Sequence, residues 1–139
     1  MRFMRSVVMV SLAVSGAALA APRLAVEKSM DLPVPPAEVW RAVGDFGSLN
    51  RHAAVAGTEI AAGRNNVAGA QRAITLKDGS KSVETLKARK ANSLTDAIDS
   101  SPLPVTGYVS ALSVAKKGKG SHLVWKGHLR ARPESRGRG

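Results

Sequence analysis

The sequence predicts an α+β domain: a curved antiparallel sheet, two short helices near its start, and no long helix at its end. Three observations carry this. Apolar residues alternate over short stretches from Val55 to Leu129, the period of half-buried strands. Turn formers separate those stretches at Gly63-Arg64-Asn65-Asn66, Asp78-Gly79, Pro102-Leu103-Pro104 and Lys117-Gly118-Lys119-Gly120, as hairpins require. The ten residues from Arg130 to Gly139 hold a proline, two glycines and no large apolar side chain.

Leu24–Leu32 reads as the first strand, with irregular alternation around Leu24, Val26 and Met30. Pro33, Pro35 and Pro36 stop it, and proline suits a first helical turn because its missing N–H has no partner there. Ala37–Val43 is a short helix with Trp40 and Val43 on one face and Gly44 at its close. Glu38 stands near its positive end, where an acid is favoured. Asp45–His52 reads as a second short helix or a tight loop. The remaining strands are expected at Val55–Ala62, Ala70–Leu76, Lys81–Ala91, Leu94–Asp99, Tyr108–Ala115 and His122–Leu129. Asp78-Gly79 is the strongest hairpin signal, because a primed turn needs a positive φ that glycine adopts freely. Val83 and Leu86 differ in parity, so a bulge or two-sided contact is expected there. Tyr108, Leu112 and Val114 share a face, as do Leu123, Trp125 and Leu129.

The first twenty residues have the three parts of a secretory signal: Arg2 and Arg5, the apolar stretch Val7–Leu19, and Ala18-Leu19-Ala20 as the cleavage site. The apolar stretch is shorter than the ~20 residues that span a bilayer. Cleavage after Ala20, with no stable membrane insertion afterwards, is expected. The chain then divides into residues 1–20 (signal peptide), 21–129 (folded domain) and 130–139 (disordered basic tail). It contains no cysteine, so an exported domain must be held by burial alone, which points to a bacterial periplasm. Thiol catalysis is excluded. Lys and Arg number 21 against 10 Asp and Glu, a net charge of +11. Removing the signal takes two arginines and no acids, leaving +9. Aromatics for base stacking are scarce at 4%, which together with export argues against a nucleic-acid partner. The charge fits an acidic partner protein, anionic head groups or a solvated surface.

Familiar site patterns fail on spacing. His122 and His128 are six apart on one strand, ~20 Å at ~3.3 Å per residue, too far to share an ion. His52 belongs to another segment, so no metal and no cofactor is expected. Gly118-Lys119-Gly120-Ser121 departs from the phosphate-loop pattern, since Gly120 follows Lys119 and Ser stands at position 113. There is no Gly-x-Ser-x-Gly elbow to supply a hydrolase nucleophile. Arg72 and Glu84 stand six residues either side of Asp78, in register for direct pairing across that hairpin. A buried charge must be paired or change its protonation. A structural ion pair and a role in orienting a polar ligand group are both open.

Several segments, taken in order, resemble the SRPBCC (START-like, polyketide cyclase/dehydrase) superfamily. They are Val34-Pro35-Pro36-Ala37-Glu38-Val39-Trp40, Asp45-Phe46-Gly47, Gly69-Ala70-Gln71-Arg72 and Asp78-Gly79. Glu84-Thr85-Leu86, Pro102-Leu103-Pro104-Val105 with Tyr108, and Val124-Trp125-Lys126-Gly127 complete the pattern. The likeness covers about Val26 to Leu129, and its exported subset is similar to MxaD-type periplasmic proteins associated with methanol oxidation. The resemblance implies a helix-grip fold, in which the curved sheet holds a long C-terminal helix over an apolar cavity for lipids, sterols or polyketides. Arg51 and Ala53 stand where relatives commonly have Trp and Pro, and Asp96 where an aromatic is expected. The closing helix is the third departure. Such a helix needs ~20 residues for ~30 Å. Six buried apolar side chains on it would contribute roughly 10–18 kcal/mol gross, against net domain stabilities of ~5–15 kcal/mol. A shifted reading frame is the expected origin of the Arg- and Gly-rich tail.

The resemblance makes Trp40, Phe46, Leu49, Arg72, Glu84, Asp96, Tyr108, Leu112 and Trp125 the cavity candidates, with no catalytic residue assigned. The first functional reading is a periplasmic, non-enzymatic binding protein for a small hydrophobic or amphipathic molecule. One alternative is a polyketide cyclase- or dehydratase-like enzyme using Arg72, Glu84 and Asp96 as acid and base. The other is an accessory protein that docks on an acidic periplasmic partner.

Overall fold

The structure, a computed structural model, describes residues 22–49 and 52–131. In chain order the elements are β1 (Arg23–Leu32), α1 (Pro36–Val43), β2 (Val55–Ala62), β3 (Gln71–Leu76), β4 (Lys81–Lys90), β5 (Ser93–Ser100), β6 (Val105–Lys117) and β7 (Gly120–Ala131). The strands form one curved antiparallel sheet in the order β1-β7-β6-β5-β4-β3-β2, and α1 packs against β6 and β7. The expected signal segment, residues 50 and 51, and residues 132–139 with the expected lack of a closing helix lie outside the described residues. β7 continues through Arg130 and Ala131, past the expected domain end, because Arg23 pairs with Arg130 and Val105 with Ala131. Among the described residues no helix is long and apolar enough to cross a membrane.

The irregularity expected in the first strand does not occur. β1 pairs with β7 in unbroken register, with Leu24, Val26, Lys28 and Met30 opposite Leu129, Gly127, Trp125 and Leu123. Directly opposed residues share a face, so all four side chains lie on the inner face, the one α1 packs against. The parity conflict in β4 is a two-sided contact: Ser82, Glu84 and Leu86 are buried on the inner face and Val83 is half-buried on the other. The register shifts against β5 fall between Val83 and Glu84 and between Leu86 and Ala88. The β3–β4 connection is a longer loop than a two-residue primed turn. Only Gly79 has a positive φ, of 85°, while the Asp78 carboxylate accepts from the Ser80 amide at 2.9 Å.

Only the first of the two expected helices forms among the described residues. Pro36 opens α1, Glu38 lies in its first turn, and the Gly44 amide closes it on the Trp40 carbonyl at 2.7 Å. Val39, 4% exposed, is its most buried side chain. Residues 44–49 are turn and coil. Side chains from the β2–β3 loop hold this stretch in place of a helical ladder. Asn65 Nδ2 donates to Asp45 Oδ1 at 2.7 Å, and the Phe46 amide donates to Asn66 Oδ1 at 2.9 Å. Phe46 is thereby driven into the core with Ala70, Leu86 and Leu94, and Trp40, Ile60 and Leu112 pack around them.

Candidate functional site

A belt of polar side chains crosses the inner face. The β3–β4 register sets Arg72 directly opposite Glu84. Arg72 Nε and Nη2 both donate to Glu84 Oε2, at 2.9 and 2.5 Å. Nη1 donates to the Phe46 carbonyl at 2.9 Å, and the guanidinium lies 4.2 Å from the centre of the Phe46 ring. On the far side Nη2 stands 3.5 Å from Asp96 Oδ2. The Ser110 hydroxyl, opposite Asp96 in the β5–β6 register, donates to Asp96 Oδ1 at 2.6 Å. Arg72, Glu84, Asp96 and Ser110 are all buried. Four adjacent strands thus contribute one residue each to a buried row.

Two carboxyls share one guanidinium. Burial pushes the Glu84 carboxyl up to about 7, helped by its hydrogen bond to Asp96 and the negative charge there, with Arg72 opposing. Near neutral pH Glu84 therefore carries a proton part of the time. Tyr108, half-buried on β6, has its phenol pushed up to about 12 by burial and then by Asp96 and Glu84, so it keeps its proton at all ordinary pH values. Each nitrogen of Arg72 already has a protein acceptor. What the belt leaves over is acceptor capacity on the carboxylates and the Tyr108 hydroxyl, which can donate as well as accept.

Beside the belt the face becomes apolar. Gly127 makes this possible: a Cβ there would lie 3.1 Å from the Trp125 ring and 3.6 Å from the Tyr108 hydroxyl. Trp125 is opposite Leu112 on one side and Lys28 on the other. Beyond them Leu24, Val26 and Met30 are 48%, 39% and 54% exposed. A hollow of about 160 Å³ opens where β5 meets β6, and its lining is mixed, with Ile98, Val105 and Tyr108 beside Asp99, Ser100 and Ser101.

The structure therefore brings Arg72, Glu84, Asp96, Phe46 and Tyr108 together, with Leu112 and Trp125 on the same face. Trp40 packs on the core, with the Arg89 guanidinium 5.5 Å from its ring. Phe46 is fully buried and forms the floor under Arg72 rather than an open wall. Leu49 sits beside residues 50 and 51 and has no described contact with the belt. Ser110 escaped the sequence reading, although a serine between Tyr108 and Leu112 on an apolar stripe was the available signal. So did Asp31, whose carboxylate meets His122 Nδ1 at 2.6 Å and Lys117 Nζ at 2.5 Å on the outer face. Among the described residues no group of three His, Cys, Asp or Glu converges to hold a metal ion.

A family model described as polyketide cyclase / dehydrase and lipid transport matches residues 23–139, a span that includes the ten residues left outside the likeness above. Among solved structures, the protein XoxI from Bacillus cereus has a TM-score of 0.71 at 25% identity, covering 80% of this chain and 78% of that one. A protein from Thermobifida fusca has a TM-score of 0.69 at 27% identity, covering 79% and 76%. Ara h 8.0201, at 19% identity and a TM-score of 0.67 over 82% and 81%, shares the fold. No curated protein matches. On the family match and the sheet it accompanies, this chain belongs to the polyketide cyclase / dehydrase and lipid transport family, within the SRPBCC superfamily.

Proposed function

We propose that the chain binds a small hydrophobic or amphipathic molecule against the inner face of its sheet, as an exported periplasmic protein. One observation carries the reading. An open apolar area around Trp125, Leu24, Val26 and Met30 adjoins a buried belt of Arg72, Glu84 and Asp96 with Tyr108 beside it. Binding sites for small molecules combine such apolar surface with a few placed polar groups. Each Arg72 nitrogen already has a protein acceptor, so the polar end of the guest meets chiefly the carboxyls and the Tyr108 hydroxyl. The neutral probe N-phenyl-1-naphthylamine is expected to brighten on the chain, and Trp125→Ala to weaken its binding about tenfold. A probe that stays dark with the folded chain sinks the reading. Export is checked separately, by a secreted product whose mass begins at Ala21.

A second reading has its own observation. Glu84, titrating near neutrality beside Asp96, has the protonation range of a general acid or base, as a cyclase or dehydratase needs. Glu84→Gln is then expected to abolish turnover of a polyketide-like substrate while probe binding persists. Probe binding with no turnover of any such substrate leaves the first reading alone. The accessory role rests on net charge, and no contact within the described structure favours it over a solvated surface.

A further inference from the structure

We propose that the free edge of β1 pairs with β1 of a second copy of this chain, giving a two-fold dimer with one continuous sheet. The two edges of the sheet differ in kind. β2 is interrupted by register shifts between Val55 and Gly57 and between Ile60 and Ala62, and bulges of this sort turn an edge away from new partners. β1 runs ten residues without a bulge or an internal proline, and every residue but Leu32 is exposed. Its only strand partner among the described residues is β7. The outward row of backbone N–H and C=O groups is a template for another strand.

The charge and apolar pattern of β1 selects the partner and the register. In a two-fold antiparallel pair, inner-face residues oppose inner-face residues, so the axis passes through a residue. Centred on Glu27, the pairing runs from 23 to 31 and sets Arg23 opposite the partner's Asp31 at both ends. Leu24 then faces the partner's Met30. With their neighbours on β7, Leu129 and Leu123, they make an apolar row four side chains wide across the junction. Ala25 meets the partner's Ser29, and Val26 meets the partner's Lys28, whose stem lies along the apolar face with its ammonium in water. The two Glu27 side chains meet on the axis as like charges, each offset by Lys126, its β7 neighbour, so the row reads plus, minus, minus, plus. Centring on Lys28 instead sets two lysines together beside Trp125, with no acid next to them. Centring on Val26 leaves Asp31 and Arg23 without opposite charges across the axis.

The absence of cysteine makes the test clean. In sedimentation the full chain is expected to dimerise reversibly. Leu24→Lys with Met30→Lys, both at exposed positions, is expected to weaken dimerisation at least about tenfold, the effect of ~1.4 kcal/mol, with circular dichroism unchanged. Glu27→Cys is expected to give a disulfide-linked dimer on mild oxidation, while Glu59→Cys on the exposed face of β2 stays monomeric. A chain monomeric at every concentration overturns the proposal. So does a dimer indifferent to the paired lysine substitutions, or cross-linking at position 59 equal to that at position 27. None of these readouts depends on whether a guest molecule binds.

Discussion

The inner face of this sheet is finished in one region and open in another. Under α1 and the 44–49 turn, Phe46, Ala70 and Leu86 are at most 1% exposed and Leu94 is 5% exposed. Along β1, Leu24 and Met30 are about half exposed, although they lie on the same face and come from the same kind of alternation. Strand patterning decides which side of a sheet is apolar; burial depends on what the rest of the chain lays across it. The covered region also holds the belt, so its energetics are those of a dry interior, whereas the β1 side behaves as surface.

The largest test of that contrast is Arg72→Ala. It strands two buried carboxyls, a loss expected to cost about 3–5 kcal/mol in denaturant unfolding and to grow with pH as Glu84 ionises. A smaller cost would mean that water reaches the belt. Next comes the pH dependence of Glu84. Its folded value of about 7 lies above the ordinary 4.5, so the folded chain holds the extra proton between those values. The stability this contributes is full below about pH 4.5 and is lost as pH rises through 7, on the order of 1–3 kcal/mol. Glu84→Gln is expected to flatten stability across that window. Asp31 and Asp78, both lowered below 3.8, act on its acid side and leave it undisturbed.

Gly44→Ala probes the covering element itself. A Cβ there would come within 2.4 Å of the Trp40 ring and 2.7 Å of its carbonyl, an overlap expected to cost about 1–3 kcal/mol in thermal unfolding. A neutral outcome would show that α1 can lift from the sheet. Smallest is Met30→Ser on the open side, expected to change stability by less than about 0.5 kcal/mol in dilute protein. A large loss at Met30 would mean that something covers β1, and the two regions would no longer differ.

Much of this was legible in the chain, unevenly. The span of β2, the position of α1 and the Arg72–Glu84 register follow from local signals: turn residues, a proline pair, and equal distances from Asp78. Asp96 could be placed on a strand, but its junction with Arg72 and Ser110 could not be read, because a bulge in β4 at Lys87 sets Asp96 opposite Leu86 rather than where uninterrupted counting puts it. The 44–49 segment reads as helix or loop because Asp45, Phe46 and Gly47 are partnered by Asn65 and Asn66 some twenty residues away. The Asp31–His122–Lys117 cluster joins residues about ninety positions apart, beyond any local pattern.

The order of residues alone determined the hairpin succession, the apolar side of each strand and the family likeness, since these depend on periods of two and on turn chemistry within a few positions. Only the folded sheet decided that one guanidinium serves two carboxyls, that Phe46 lies beneath it, and that β1 rather than β2 presents an unbroken edge. Bulges, strand order and side chains meeting from distant segments set those outcomes. They arise when the whole sheet closes on its own inner face, not from any single stretch of it.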